Sequence, residues 1–302
     1  MSSHNKDYYE TKKERTKWEK ISRAIWNPDR REFLGRTAAS WAKITGAYII
    51  FYSFLAGFFA IMMYIFLRTL NLYKPRYTLS GSIIGTNPGL GYRPHVDVEK
   101  NLIYFNPMKP STYAPYVDDL NKYLLTYETS DQSEGEGFLN CDEQKKSNDQ
   151  QVCRVDIKKV SSKCDKSTNF GYTEGSPCVL LKLNKIYGWK PRPYDDDKIP
   201  IEVGGKYRGR NVVIRCFGET AADKENIGEL SYYPKDGIPE KYFPYLNQRG
   251  YQTPFVMVQF NQPERGVLIN VVCKAFAGNI QHDKPNEEVK LKGAVHFELL
   301  ID

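Results

Sequence analysis

The feature that most constrains this chain is a run of twenty-four residues, 44–67, that contains no charged side chain. A helix of that length extends about 36 Å at about 1.5 Å per residue, which is enough to cross a hydrocarbon core of about 30 Å. Signal peptides have shorter apolar cores close to the N-terminus, whereas forty-three residues precede this run. The sequence therefore predicts an uncleaved signal-anchor and three parts: a tail of residues 1–43, a membrane-spanning helix of residues 44–67 and an outer domain of residues 68–302.

The placement of basic residues and cysteines predicts the orientation. Five Lys or Arg residues lie between residues 23 and 43, and three lie between residues 68 and 87, which favours a cytoplasmic N-terminus. The six cysteines all follow the apolar run, as expected for a domain in an oxidising compartment: Cys141, Cys153, Cys164, Cys178, Cys216 and Cys273. A zinc site is the alternative, but the chain has no Cys-x-x-Cys motif and its four histidines do not cluster with the cysteines. We expect an extracellular C-terminus and no bound metal.

Net charge is concentrated in the tail. Residues 1–43 contain eleven basic and six acidic residues, a net charge of +5, while the outer domain carries only +2. Nucleic acid binding requires a basic stripe on a folded domain, and anionic lipid is a simpler partner for a basic tail. Trp18, Ile21, Ala24 and Ile25 recur in the tail at helical spacing. This spacing fits either a helix on the membrane surface or a solvated charged helix.

The outer domain has the pattern of an all-β protein. Short alternating or β-branched runs predict six strands, at residues 101–105, 178–186, 212–217, 255–260, 267–276 and 294–301. One helix is predicted at residues 113–127, where Val117, Leu120 and Leu124 lie on a single apolar stripe. Residues 130–151 are polar and predict a solvated loop. We expect an antiparallel β-sandwich with inserted loops and one short helix.

Several ordered motifs carry a family resemblance. Next to the apolar run stand Trp26, Asn27, Leu34, Gly35, Arg36, Thr37 and Trp41. The outer domain adds Pro177-Cys178-Val179, Tyr232-Tyr233-Pro234, Tyr242-Phe243-Pro244-Tyr245 and Cys273-Lys274-Ala275-Phe276. Together they resemble the β subunits of the sodium/potassium-transporting ATPase, over nearly the whole chain from Trp26 onward.

This resemblance implies a non-catalytic subunit of the plasma membrane, with one transmembrane helix, an immunoglobulin-like outer domain and no cofactor. The implied partner is the catalytic α subunit of a P-type ATPase, a ten-helix protein that binds ATP, forms the aspartyl phosphate and carries the ions. A small single-span regulatory subunit is a further candidate partner. In this family the β subunit helps the α subunit to fold and to leave the endoplasmic reticulum, and it modulates potassium affinity.

The resemblance also implies a disulfide pairing in chain order: Cys141 with Cys153, Cys164 with Cys178 and Cys216 with Cys273. Cysteine spacing alone leaves many pairings open. Cys216 and Cys273 fall inside two predicted strands, and we expect their disulfide to join two packed sheets.

The apolar run has two distinct sides at about 100° per residue. One side carries Tyr48, Phe51, Tyr52, Leu55 and Phe59, and the other carries Ser53 and Gly57, small residues that let a second helix approach closely. Aromatic residues that simply face lipid are the alternative. The family uses the Tyr48, Phe51 and Tyr52 positions against an α-subunit helix, and it places the Tyr232-Tyr233-Pro234 region near an extracellular loop of the α subunit.

Other classes of protein share this topology. The β subunit of a proton/potassium pump is a close alternative, and a type II adhesion protein is a more distant one. A Golgi glycosyltransferase would use an Asp-x-Asp metal site, and Asp195-Asp196-Asp197 contains that spacing, although a solvated acidic turn is the simpler interpretation. Two features depart from the family: the chain has no Asn-x-Ser/Thr sequon, and the segment between Cys141 and Cys153 is short.

Overall fold

A computed structural model provides the structure of the chain. It describes residues 17–97, 99–128, 138–141, 146, 148, 151–160, 163–195, 198–203, 207, 209–283 and 291–302. Most of the predicted loop at 130–151 therefore lies outside the described residues, as do Asp196 and Asp197 of the acidic triplet. The chain divides into two compact units, Met1–Asn71 and Leu72–Asp302.

The N-terminal unit consists of a short helix, a small sheet and a long helix. These elements are α1 (Lys17–Ile25), β1 (Trp26–Asn27), β2 (Glu32–Phe33), β3 (Arg36–Thr37) and α2 (Ala38–Thr69). The three strands pair in the order β1-β2-β3 as an antiparallel meander. Among the described residues, α2 is the helix long and apolar enough to cross a membrane. It begins six residues before the predicted span because Thr37 provides an N-terminal cap.

The C-terminal unit is rich in β-strands. Its strands are β4 (Leu90–Arg93), β5 (Leu102–Phe105), β6 (Phe138–Leu139), β7 (Val152–Cys153), β8 (Cys178–Leu183), β9 (Val213–Gly218), β10 (Glu229–Tyr233), β11 (Phe255–Asn261), β12 (Ile269–Phe276) and β13 (Ala294–Ile301). Its α-helices are α3 (Pro110–Glu128), α4 (Ile157–Val160) and α5 (Ala221–Asn226), and short 3-10 helices occur at Leu79–Gly81, Lys166–Glu174 and Glu240–Tyr242. The strands form two four-stranded sheets, β10-β11-β8-β4 and β5-β13-β12-β9, and a small pair, β6-β7.

The prediction of a β-rich outer unit is confirmed, with three corrections. All six predicted strands are present with ends shifted by a few residues, and the predicted helix is present as α3. The expectation of one short helix was wrong, because α3 has nineteen residues and α4 and α5 are additional helices. The wholly antiparallel arrangement was also wrong, because β5 runs parallel to β13. The third correction concerns the Cys216–Cys273 disulfide, which joins two strands of one sheet and is described below.

The core lies between the two larger sheets and under α3. Phe297 of β13 contacts Phe260 and Tyr92 of the other sheet, with ring centroids 6.1 and 4.9 Å apart. On the opposite face of β11, Phe255 contacts Tyr127 of α3 at 5.3 Å. Successive side chains of a strand point to opposite faces, so β11 is packed on both sides.

The six cysteines form three disulfides: Cys141–Cys153, Cys164–Cys178 and Cys216–Cys273. They are the pairs implied by the resemblance. The third does not join two sheets, as we expected, because Cys216 of β9 and Cys273 of β12 are direct neighbours within one antiparallel sheet. Their Cα atoms are 3.9 Å apart, which is the close spacing of a pair that exchanges no backbone hydrogen bonds. Strand spacing along the sequence could not distinguish neighbours within a sheet from strands of facing sheets.

Candidate partner-binding surfaces

The helix α2 leaves its side chains largely exposed within the described part of its own unit. None of its thirty-two residues is buried. Its large side chains are therefore available for lipid or for another helix. In a bilayer, apolar side chains gain little from leaving lipid, so close packing between helices decides whether they associate.

An aromatic cluster occupies one side of α2. The rings of Tyr48 and Tyr52 are stacked with centroids 5.9 Å apart, and the ring of Phe51 meets that of Tyr52 edge-on at 5.4 Å. The three rings form a continuous raised surface about one helical turn long. A raised surface of this kind can make van der Waals contact with a second helix in a membrane.

The other side of α2 is flatter. Ser53 and Gly57 stand four residues apart there, and a Cβ atom built on Gly57 meets no atom within 4 Å. Small residues at this spacing form a shallow groove into which a second helix can fit. The helix therefore combines a raised aromatic side with a small-residue side, in agreement with the pattern in the sequence.

The membrane-proximal signature residues build the meander. Trp26 is paired with Phe33 across β1 and β2, and the side chain of Asn27 accepts a hydrogen bond from the Asp29 amide at 3.2 Å. The indole of Trp41 donates a hydrogen bond to the Phe33 carbonyl at 2.8 Å, and the two rings are 6.1 Å apart. Trp41 therefore joins the meander to the second turn of α2.

The remaining signature residues form a tight turn and a helix cap. Leu34 and Gly35 connect β2 to β3 with φ values of 49° and 74°, the left-handed conformation that a two-residue hairpin of this type requires and that glycine adopts most easily. Arg36 begins β3 opposite Phe33. The Thr37 hydroxyl accepts a hydrogen bond from the Ser40 amide at 3.4 Å and caps α2. These residues thus form a folded segment that leads directly into α2.

Tyr232 of the predicted outer contact region lies between the two large sheets. Its hydroxyl accepts a hydrogen bond from the Cys216 amide of β9 at 2.9 Å, although Tyr232 belongs to β10 of the other sheet. Cys216 exchanges no backbone bonds with Cys273, and β9 is the edge strand of its sheet, so its amide has no strand partner on that side. Burial raises the pKa of the Tyr232 hydroxyl, so it stays protonated at neutral pH.

Arg215 is a buried residue that the sequence interpretation missed. It is 6% exposed, its guanidinium stands 4.8 Å from the centroid of the Tyr232 ring, and it donates a hydrogen bond to the Ile214 carbonyl at 2.7 Å. Burial lowers the pKa of Arg215. The signal in the sequence was a single arginine inside an apolar strand, Val212-Val213-Ile214-Arg215. Together Tyr232 and Arg215 hold the two sheets at their β9 and β10 edges.

Tyr233 and Pro234 differ from Tyr232 in position. Tyr233 lies on the opposite face of β10, and its hydroxyl stands 3.4 Å from Oε1 of Gln259, the outer limit of a hydrogen bond. Pro234 follows directly and is half-buried. Of the three predicted residues, Tyr233 is therefore the one that faces away from the space between the sheets.

The described part of the acidic triplet is an exposed ion pair. Asp195 accepts a hydrogen bond from Lys198 Nζ at 2.7 Å, and this bond lowers the pKa of Asp195. Within the described residues, no group of three His, Cys, Asp or Glu side chains is arranged to hold a metal ion. Asp195 thus has the geometry of a solvated turn.

Known proteins resemble this chain along almost its full length. The profile of the family described as sodium/potassium ATPase beta chain matches residues 11–297. The sodium/potassium-transporting ATPase subunit beta-2 of Drosophila melanogaster is 39% identical, with 98% of this chain and 96% of the relative covered. Subunit beta-1 of the same species is 37% identical over 93% of each chain, and human subunit beta-2 is 30% identical over 92% of each chain. The match extends through the meander, α2 and the disulfide-bonded sheets, and the chain belongs to the sodium/potassium ATPase beta chain family.

Proposed function

We propose that this chain is the non-catalytic beta subunit of a sodium/potassium-transporting ATPase and that it pairs with the catalytic α subunit of that pump. In this role it assists the folding and membrane delivery of the α subunit and modulates potassium affinity. Family membership over residues 11–297 supports the proposal, as do relatives whose names are those of sodium/potassium pump subunits. The catalytic steps, ATP binding and phosphorylation, belong to the partner.

The observation that carries the proposal is the two-sided helix α2. It has no buried residue, yet it arranges three aromatic rings on one side and small residues on the other. This pattern is typical of a helix that packs in a membrane against another helix. We propose Tyr48, Phe51, Tyr52, Ser53 and Gly57 as the partner contacts within the membrane.

The proposal includes the topology and the outer contact. The N-terminus is cytoplasmic and the C-terminal unit extracellular, at the plasma membrane, with residues 44–67 inside the bilayer. The basic residues before α2 and the three disulfides after it support this orientation. The outer unit is of the immunoglobulin-like class, which its two four-stranded sheets support. Its contact with the α subunit uses Tyr233 and Pro234, while Tyr232 positions β10 from inside.

Affinity purification from cells in mild detergent tests the proposal. The chain should copurify with a large polypeptide that forms an acid-stable phosphoenzyme when ATP is added. Sodium should promote the phosphoenzyme and potassium should discharge it. A chain purified as a monomer would refute the pump assignment and favour an adhesion protein or a lumenal enzyme. A phosphoenzyme that forms without a sodium requirement would indicate a proton/potassium pump instead.

A matched pair of variants tests the membrane contact. Replacing Tyr48, Phe51 and Tyr52 together with Leu should preserve insertion, weaken the complex by about 1–2 kcal/mol and shift potassium activation, because contacts between membrane helices are individually weak. The control replaces Phe54, Ile61 and Ile65 with Leu, on a flank about 220–260° around the helix axis from Tyr48 at about 100° per residue. Equal effects of the two variants would contradict a specific contact by the three aromatic residues.

A further inference from the structure

The N-terminal unit exposes an apolar patch beside α2. In α1, the side chains of Trp18, Ile21 and Ile25 project within one stripe, and Trp18 is 81% exposed. The meander adds the exposed side chains of Trp26, Phe33 and Leu34. We call these six residues the N-terminal apolar patch. All six lie within residues 18–34, and exposed apolar side chains grouped among charged residues are typical of a site that binds protein or membrane.

Unpaired arginines accompany this patch. The sequence from residue 17 to residue 43 contains seven basic and three acidic residues, a net charge of +4. Arg23 is neutralised by Asp29, at 3.0 Å. Arg30, Arg31 and Arg36 are exposed, and within the part of the chain that the structure describes they form no ion pair. Three guanidinium groups are thus free to bind anions, and their fork of donors matches the oxygens of a phosphate.

Two hydrogen bonds tie the patch to the start of α2, next to the uncharged run. The Leu34 amide donates a hydrogen bond to the Ile25 carbonyl at 2.8 Å, which holds the end of α1 against the meander. The Trp41 indole in turn binds the Phe33 carbonyl, which holds the meander against the second turn of α2. Lys43 is the last charge before the uncharged run. With residues 44–67 inside the bilayer, as proposed above, α1 and the meander are tied to α2 beside this boundary and would lie at the level of the lipid headgroups.

We propose that α1 and the meander form a docking element for anionic phospholipid. The N-terminal apolar patch enters the boundary between headgroups and acyl chains, and Arg30, Arg31 and Arg36 bind phosphate groups of the same leaflet. Apolar area and attraction to anionic lipid together provide the binding of such elements. The element anchors the chain in the leaflet at the N-terminal end of α2. This inference does not depend on the proposed α subunit.

The test places a fluorescent label on the full-length chain in lipid nanodiscs. In the described part of the chain every cysteine is in a disulfide, so Ala24→Cys introduces a thiol that can be labelled selectively while Trp18, Ile21 and Ile25 stay in place. The label carries nitrobenzoxadiazole. Its quenching by doxyl-labelled lipid and by aqueous iodide is compared in discs of phosphatidylcholine and in discs of phosphatidylcholine mixed with phosphatidylserine. Any subunit that copurifies is retained.

The expected result is quenching by lipid and protection from iodide in the anionic discs. Arg30→Gln, Arg31→Gln and Arg36→Gln together should lower the ratio of docked to undocked label by roughly tenfold or more, and Trp18→Ser with Ile21→Ser should release it as well. The charge-matched control, Lys109→Gln with Lys224→Gln and Lys235→Gln, changes exposed lysines of the C-terminal unit and should have no effect.

Three results would overturn the proposal. A label open to iodide in both lipids would mean a solvated helix. Lipid quenching that is equal in neutral and anionic discs would mean that anionic headgroups are not recognised. A label shielded from both quenchers would mean that α1 docks on protein. The comparison of the two lipids uses the native arginines, so it stands even where a charge variant fails to fold.

Discussion

Replacing Tyr232 with Phe tests whether this hydroxyl holds the two large sheets together. The change removes one oxygen and keeps the ring, so the contact between the ring and Arg215 at 4.8 Å is preserved. The Cys216 amide loses its acceptor at 2.9 Å. This amide points away from β12 at an edge strand, and Cys216 is only 4% exposed, so water cannot readily replace the hydroxyl.

The expected loss is the penalty for a buried donor without a partner. Such a group costs about 1–3 kcal/mol, whereas a solvent-exposed hydrogen bond is nearly neutral when removed. The apolar area of the ring stays buried, so no cavity penalty applies. We therefore expect Tyr232→Phe to reduce the free energy of unfolding by about 1–3 kcal/mol. Tyr233→Phe, which removes a hydroxyl 3.4 Å from its neighbour, should cost no more than about 0.5 kcal/mol.

Urea unfolding of the full-length chain in detergent, with disulfides intact, measures both variants. Fluorescence of Trp189, which is buried against Phe243 at 5.3 Å, reports on the C-terminal unit. The reasoning is refuted if Tyr232→Phe and Tyr233→Phe shift the unfolding midpoint equally. It is also refuted if Tyr233→Phe is the more destabilising variant.

Three further predictions concern the same unit. Burial alone would raise the pKa of Asp223, but hydrogen bonds from Thr220 and Asn270 outweigh it and hold that pKa below the ordinary value of 3.8. The stabilisation that Asp223 provides is therefore present above pH 3.8 and is lost on acidification. Asp223→Asn should cost about 1–3 kcal/mol at neutral pH in urea unfolding and remove this acid dependence; an unchanged acid profile would contradict it. Burial lowers the pKa of His282 below 6.5, so its contribution is complete above pH 6.5 and declines as the pH falls below it. His282→Gln should flatten the stability curve below pH 6.5 in urea unfolding, and an unchanged curve would contradict this reasoning. Replacing Cys216 and Cys273 with Ser removes a disulfide between residues 57 positions apart and should lower the free energy of unfolding by about 2–5 kcal/mol. Less of the chain should then be labelled by surface biotinylation, and undiminished labelling would contradict the prediction.

The sequence predicted those elements whose residue composition favours a single backbone conformation. A run of twenty-four uncharged residues is long enough to cross a membrane as a helix, and α2 contains all of it. Strands rich in β-branched residues, such as β9 and β12, were likewise predicted from their composition. In these segments, side-chain chemistry alone favours the observed conformation.

The sequence could not predict features that depend on pairing between distant segments. β4 is four residues long and contains a glycine, and β10 has no β-branched residue, so both are strands because β8 and β11 pair with them. The neighbouring positions of Cys216 and Cys273 also follow from the strand order of one sheet. The hydrogen bond between the Tyr232 hydroxyl and the Cys216 amide could not be predicted, because nothing in the segment around Tyr232 indicates the amide that it binds.

Tyr48 and Tyr52 on the aromatic side of α2 would lie at different depths in the bilayer. Removing the hydroxyl of each in turn therefore tests whether this side faces lipid or a partner helix. Tyr48 lies near the N-terminal end of the uncharged run, where tyrosine hydroxyls are common at the headgroup level. Tyr52 lies nine residues beyond Lys43, about 13 Å along the helix, which is too deep for that explanation. Within the described residues its hydroxyl has no hydrogen bond, and an unpaired hydroxyl in hydrocarbon is costly. If a partner helix supplies the acceptor, Tyr52→Phe weakens the detergent-resistant complex and Tyr48→Phe does not. If Tyr52 faces only lipid, Tyr52→Phe leaves the complex intact and improves membrane insertion.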